Sequence, residues 1–130
     1  MNSPQSAVAH SAYRASQKLD LSPASVLAAV HEELYRTVQA ANSAYERRAL
    51  DQMCRELEGA AKILHGLRAA LDFSAAGEDG RRLDAHYLRI LLLLNRCLHF
   101  SDVSGVLQSV MDDIRSMSVI FRRWNESNGN

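Results

Sequence analysis

Apolar residues recur at steps of three and four along most of the chain, which is the spacing of an amphipathic α-helix. A first helix is predicted from Pro23 to about Arg47, because Ser22 is a good N-cap and proline suits the first helical position. Its apolar stripe consists of Val26, Leu27, Val30, Leu34, Val38, Ala41 and Tyr45. The stripe predicts one face that packs against neighbouring helices.

The same spacing predicts a second helix from Leu50 to about Leu71. Gly59 and Gly66 lie seven residues apart, and hence on nearly the same side of this helix. Small residues there either let a neighbouring helix pack closely or form a groove for the backbone of a partner. Residues 74–80 follow, and their two glycines and two acidic residues predict a loop.

A third helix is predicted from about Arg81 to Phe100, and its apolar surface is unusually wide. Its main stripe is Leu83, Tyr87, Ile90, Leu94 and Cys97, and the leucines beside the stripe are Leu88, Leu91, Leu92, Leu93 and Leu98. A helix that is apolar around most of its circumference is either central in a bundle or covered by something else. A fourth helix is predicted from Val103 to Trp124, where apolar residues recur without interruption.

Long helices joined by short connections predict an all-α fold, an antiparallel four-helix bundle. A segment from Val8 to about Lys18 can form a short extra N-terminal helix, although its apolar face is thin. The length of 130 residues fits one domain that spans residues 1–130. Residues 1–7 and 125–130 are polar and are expected to be flexible.

Charge and composition narrow the classes of function. Fifteen basic and fifteen acidic residues give a formal net charge of zero, so nucleic-acid binding is not expected. The longest strongly apolar run, from Ile90 to Leu94, is too short to span a bilayer, and the N-terminus lacks a signal-peptide pattern. We therefore expect a cytoplasmic protein without membrane insertion. Cys54 and Cys97 form no CxxC pair and are expected to be small buried residues.

No motif for catalysis or metal binding is found in the sequence. The segment His-Glu-Glu-Leu-Tyr at residues 31–35 lacks the second histidine of the zinc-protease motif, and no Glu-x-x-His of a di-iron site occurs. The five histidines are scattered singly, and we expect them at the surface or at the edge of the core. The sequence thus predicts no enzyme activity, no metal and no cofactor, and a metal-dependent helical enzyme is the weakest alternative.

The order and spacing of several short motifs resemble the FliS family of flagellar export chaperones. The residues that carry the resemblance are Ala12, Tyr13, Ser22, Pro23, Ala60, Ile63, Leu64, Leu67, Leu71, Asp72, Leu83, Tyr87, Leu94 and Trp124. The chain departs from the family pattern at three positions. His31 replaces a tyrosine, Glu33 replaces a small residue, and Arg89 replaces a second aromatic residue.

The resemblance implies a cytoplasmic chaperone that binds the disordered C-terminal segment of flagellin, blocks its premature polymerisation and keeps it competent for export. Contact with the flagellar export apparatus is a further implication, and the chain is expected to be a monomer or a weak homodimer. The residues expected to bind the partner are Tyr13, Leu19, Leu21, Val26, Val30, Leu34, Leu88 and Leu92.

Two alternatives are open at this point. Tyr13, with Val8 and Leu19 or Leu21, either covers an apolar groove until a partner displaces it or packs permanently against the core. The wide apolar surface of the third helix also fits a homo-oligomeric structural or regulatory module that associates through Leu88 and Leu92.

Overall fold

The computed structural model describes residues 23–71, 73–99 and 102–128, with side chains described for residues 25–71, 77–99 and 102–121. These parts of the chain form four α-helices and no strand. The helices are α1 (Pro23–Glu46), α2 (Leu50–Ala70), α3 (Phe73–Cys97) and α4 (Val103–Asn128). The predicted all-α bundle is confirmed, whereas the predicted N-terminal helix lies outside the described residues.

The four helices form a closed ring around one core. α1 packs against α2 and α4, and α3 also packs against α2 and α4, so α1 and α3 lie diagonally opposite. His31 of α1 lies beside Phe121 of α4, and Tyr35 of α1 lies beside Arg115 of α4. Residue numbers therefore rise along α1 where they fall along α4, as the predicted antiparallel order requires.

Most residues of the predicted apolar stripes line this core, whereas Val30, Tyr45 and Leu83 are only partly buried. α4 follows its prediction at every described position from Val103 to Phe121, and each fully buried leucine or isoleucine contributes about 2 kcal/mol of transfer free energy. Gly59 and Gly66 of α2 are both buried, which favours close helix packing over an open groove. The buried stripe residues of the other helices are Val26, Leu34, Val38, Ala41, Met53, Leu57, Ala60, Leu64, Leu67, Tyr87, Ile90, Leu94 and Cys97.

The third helix begins earlier than the sequence predicts. α2 ends at Ala70, the next residue Leu71 has an extended backbone with φ −68° and ψ 128°, and helix resumes at Phe73. Within residues 73–97 only Gly77 departs from helical geometry, with φ 55° and ψ −130°, a region that glycine alone enters without strain. The predicted loop over residues 74–80 is therefore wrong, and the break is a kink at one residue.

The turn between α1 and α2 is closed by backbone hydrogen bonds. The Arg48 N–H donates to the Tyr45 carbonyl at 3.0 Å, and the Ala49 N–H donates to the Ala44 carbonyl at 2.8 Å. This is the Schellman pattern, with Arg48 at the left-handed position and a φ of 61°. Glycine usually takes that position, because a Cβ atom is strained there.

Candidate partner-binding surface

The third helix exposes two leucines that a binding surface could use. Leu88 and Leu92 lie one helical turn apart, and their exposed fractions are 39% and 68%. Residues spaced by four on a helix are neighbours on its surface, so the two side chains form a continuous ridge, which we call the α3 ridge. The leucines Leu91 and Leu93 instead pack partly against the core.

The α1 residues predicted to bind a partner lie mostly in the core. Leu34 is fully buried, Val26 is 9% exposed, and Val30 is half-buried. Because α1 and α3 are diagonal in the bundle, the structure does not join Val30 and Leu92 in one surface. Leu34 can contact a partner only if the core around it rearranges, so partner binding by these residues stays a prediction.

The predicted partner-binding residues Tyr13, Leu19 and Leu21 lie outside the described residues. A second exposed apolar pair, Val119 and Ile120 of α4, is not among the predicted partner-binding residues; its exposed fractions are 39% and 60%. The sequence pattern could have identified this pair, because both residues lie off the apolar stripe that faces the core.

A shallow polar depression lies between α1 and α4, next to this second pair along the helix. Its volume is about 260 Å³, and it is lined by Glu32, Tyr35, Arg36, Arg115 and Ser118. The Arg115 guanidinium lies 4.9 Å from the centre of the Tyr35 ring and donates a hydrogen bond to its hydroxyl. Arg36 forms an ion pair with Glu32 at 3.5 Å. The depression therefore offers polar contacts along the seam of two helices.

A polar pair lies at the centre of the core. His31 is fully buried, and its Nε2 accepts a hydrogen bond from the Tyr87 hydroxyl at 3.0 Å. Its Nδ1 lies 2.6 Å from the carbonyl oxygen of Leu27, so a neutral imidazole with its proton on Nδ1 satisfies both partners. The ring of Phe121 packs against His31 with centroids 4.7 Å apart. The expectation of a histidine at the surface or core edge is wrong for His31.

Burial keeps this pair neutral. It lowers the pKa of His31 from 6.5 to about 4, although the hydrogen bond to the Leu27 carbonyl acts in the opposite direction. Burial also raises the pKa of the Tyr87 hydroxyl well above its usual range. Neither side chain has exposed surface, so the pair links α1 to α3 across the bundle and cannot contact a substrate.

The described residues offer few groups for metal binding or nucleophilic chemistry. They contain no group of three or more His, Cys, Asp or Glu side chains arranged to hold a metal ion. Cys54 and Cys97 are both free, and burial raises the pKa of Cys97 to about 11, which makes its thiol a poor nucleophile. Among the described helices, none combines the length and the apolar character needed to cross a membrane.

Comparison with known proteins gives one match. A protein family model described as "FliS: Flagellar protein FliS" matches residues 5–125, which is nearly the whole chain. Neither curated proteins nor solved structures gave a match. The matched range includes all of α1, α2 and α3 and most of α4.

Proposed function

Because the chain belongs to the FliS family of flagellar export chaperones, we propose that it binds the C-terminal segment of flagellin in the cytoplasm. Binding would block premature polymerisation of flagellin and keep it competent for export by the flagellar export apparatus. The observation that carries this proposal is the family match over residues 5–125.

The exposed apolar side chains support this function. A disordered segment gains affinity when it folds an amphipathic helix onto an apolar surface, although the entropy lost on ordering limits that gain. Leu88 and Leu92 on the α3 ridge, with Val119 and Ile120 on α4, are side chains on which such helices could lie. Covering the exposed part of a leucine contributes on the order of 1 kcal/mol. Holding and releasing a segment in this way requires binding and no chemistry.

Filament growth tests the proposal. Purified flagellin monomers should polymerise slowly in the presence of an equimolar amount of the chain and normally without it, as followed by light scattering. The Leu92→Ser variant should bind flagellin about tenfold more weakly, because it loses the most exposed leucine of the α3 ridge. Normal filament growth at equimolar wild-type chain would refute the chaperone function.

The matched control is Leu50→Ser. Leu50 is 39% exposed, as Leu88 is, but it lies at the start of α2 and away from the α3 ridge. This variant should slow polymerisation as well as the wild type does. If it is as defective as Leu92→Ser, the α3 ridge is not the flagellin site.

The alternative is a homo-oligomeric structural or regulatory module. The α3 ridge supports it as well, because two copies could bury Leu88 and Leu92 against each other. Sedimentation equilibrium separates the two functions. A dimer that Leu92→Ser dissociates, in a protein that does not bind flagellin, would favour the module over the chaperone.

A further inference from the structure

The basic side chains of the described residues fall into two classes. Six of them have a carboxylate within 4.0 Å, namely Arg36, Lys62, Arg68, Arg81, Arg82 and Arg89. No carboxylate of the described residues lies within that distance of the other five, which are Arg47, Arg48, Arg55, Arg96 and Arg115. Four of these five arginines lie towards the same end of the bundle.

We call the surface formed by Arg47, Arg48, Arg55 and Arg96 the arginine end. The antiparallel order places the end of α1, the start of α2 and the end of α3 together here. All four side chains are exposed. Because neighbouring helix axes in a bundle lie about 10 Å apart, one extended segment can reach several of these guanidinium groups.

Two of the arginines are oriented by contacts with neutral groups. The Nε of Arg47 donates to the Ser43 carbonyl at 3.3 Å, and its guanidinium also donates to the Gln52 side chain at 3.4 Å. The guanidinium carbon of Arg48 lies 5.0 Å from the centre of the Tyr45 ring. An oriented guanidinium loses less side-chain entropy when it binds a carboxylate.

The arginine end also carries apolar surface and a depression. Leu50 is 39% exposed and Leu98 is 44% exposed. The depression has a volume of about 450 Å³, and it is lined by Arg48, Ala49, Leu50, Asp51, Gln52 and Arg55. The apolar side chain of Leu50 is thus flanked by Arg48 and Arg55, and neither has a carboxylate of the described residues within 4.0 Å. Asp51 lies in the same lining without pairing with either arginine.

The acidic residues at this end have local roles. Glu46 accepts a hydrogen bond from the Asn42 side chain at 3.3 Å. Asp51 lies in the first turn of α2, and Asp102 immediately precedes α4, where negative charge interacts favourably with the helix dipole. Glu56, the fourth acidic residue at this end, follows Arg55 on α2, and none of the four lies within 4.0 Å of an arginine of the arginine end.

Arg48 occupies a backbone position that glycine would occupy with less strain. Its φ of 61° costs an L-residue about 1 kcal/mol or more. Residues held in such conformations cluster at binding sites, where the side chain serves a purpose other than stability. The strained residue is thus also one whose guanidinium has no carboxylate of the described residues within 4.0 Å.

We propose that the arginine end binds an acidic segment of a protein partner. Carboxylates of the segment pair with Arg48 and Arg55, and an apolar side chain of the segment lies on Leu50. Arginine suits this task because its guanidinium binds a carboxylate through two parallel hydrogen bonds. The surface is distinct from the α3 ridge, so it does not depend on the proposed binding of flagellin.

A peptide fits this surface better than a membrane does. Glu46, Asp51 and Asp102 are interspersed among the arginines, and a continuous layer of anionic lipid would approach these acids as closely as the arginines. A peptide can place its carboxylates beside the arginines and its other residues beside the acids. The peptide carboxylates are then attracted to the arginines without lying close enough to the acidic residues to be repelled by them.

Fluorescence anisotropy tests the proposal with two labelled peptides. One alternates glutamate with leucine, and the other has glutamine in place of each glutamate. The glutamate peptide should bind at least about tenfold more tightly, and its affinity should fall as salt is added. The double variant Arg48→Gln/Arg55→Gln should lose about tenfold in affinity for the glutamate peptide. Equal binding of the two peptides, or an unaffected double variant, would overturn the proposal.

The matched control is the double variant Arg81→Gln/Arg82→Gln. It makes the same change of charge at the opposite end of the bundle, where both arginines pair with Glu78 at 3.7 and 3.9 Å. It should bind the glutamate peptide as the wild type does. An equal loss in both double variants would show attraction to overall charge and would overturn the proposal.

The variant Arg48→Gly separates binding from folding. Glycine relieves the strained φ, so this variant should be at least as stable as the wild type towards urea while binding the glutamate peptide more weakly. Vesicles of phosphatidylglycerol bound more tightly than the peptide, with the same dependence on Arg48 and Arg55, would assign the surface to membranes instead. Loss of flagellin binding in Arg48→Gln/Arg55→Gln would assign it to the flagellin site.

Discussion

The buried histidine is the residue through which pH acts on the core. Burial lowers the pKa of His31 from its ordinary value of 6.5, which applies to the unfolded chain, to about 4 in the folded protein, because it disfavours the charged imidazolium. Between these pH values the unfolded state binds more protons. The stability contributed by neutral His31 is therefore complete above about pH 6.5 and is lost as the pH falls towards 4. The loss amounts to roughly 3 kcal/mol.

Urea unfolding at a series of pH values measures this loss. The free energy of unfolding should fall more steeply in the wild type than in His31→Gln as the pH drops from 6.5 towards 4. Glutamine keeps a hydrogen-bonding side chain but does not titrate, so carboxylates affect both proteins alike and cancel in the comparison. Parallel pH profiles for the two proteins would show that His31 is not buried in neutral form.

A second prediction concerns the hydrogen bond that the Tyr87 hydroxyl donates to His31. Tyr87→Phe removes the donor to His31 Nε2 and leaves a buried acceptor without a partner, which should lower the free energy of unfolding by about 1–2 kcal/mol. The comparison is Tyr35→Phe, because the Tyr35 hydroxyl bonds to exposed Arg115 and its loss should change stability by less than about 0.5 kcal/mol. Similar effects of the two variants would argue against the pair in the core.

The sequence could predict the position of His31 on the buried face of α1 but not its hydrogen bond to Tyr87. His31 lies four residues after Leu27 and three before Leu34, so its register on the buried face of α1 was visible. Its hydrogen-bond partner is 56 positions away, and only the packing of diagonal helices brings Tyr87 to it. A polar residue on an apolar face is buried when it has a hydrogen-bond partner in the core. The periodicity of the sequence does not show whether such a partner exists.

Among the elements, α3 has an unusual backbone at its start. Gly77→Ala should lower the free energy of unfolding by about 1–3 kcal/mol, because φ 55° and ψ −130° are strained for any residue with a Cβ. Apart from the backbone next to Gly77, no atom of the residues whose side chains are described lies within 4 Å of the position of that Cβ, so crowding with them would not contribute. Urea unfolding gives the value, and an unchanged free energy would mean that the kink does not persist in solution.

The control for Gly77 is Gly105→Ala near the start of α4. A Cβ there would lie 2.6 Å from a carboxylate oxygen of Asp102, which must move away. Alanine favours the helix over glycine by about 1 kcal/mol, which offsets the displaced carboxylate, so the net change should be smaller than about 0.5 kcal/mol. A large loss here would mean that Asp102 matters more to α4 than its flexible side chain suggests.

The two helices show what periodicity can and cannot predict. α4 was predicted correctly because its apolar residues recur without interruption, and every described stripe position is buried. The start of α3 was missed because two glycines and two acidic residues are typical of a loop. In the structure the described non-helical residues here are Leu71 and Gly77, so Glu78 and Asp79 already belong to the helix that follows the kink.

For the whole molecule, the sequence predicted an excess of apolar residues but not which of them are exposed. Leu91 and Leu93 pack against the core, whereas Leu88 and Leu92 do not, and the difference depends on how α3 is rotated within the bundle. The net charge of zero likewise could not predict the arginine end. Equal numbers of basic and acidic residues do not show which of them form ion pairs. Both surfaces become visible only once the helices are placed.

We propose that this FliS-family chain is a chaperone for the C-terminal segment of flagellin. Isothermal titration calorimetry with intact flagellin, and with flagellin that lacks its C-terminal segment, tests this proposal. We predict saturable binding of intact flagellin at one molecule per chain and loss of that binding when the segment is removed. Equal affinity for the two forms would contradict the claim.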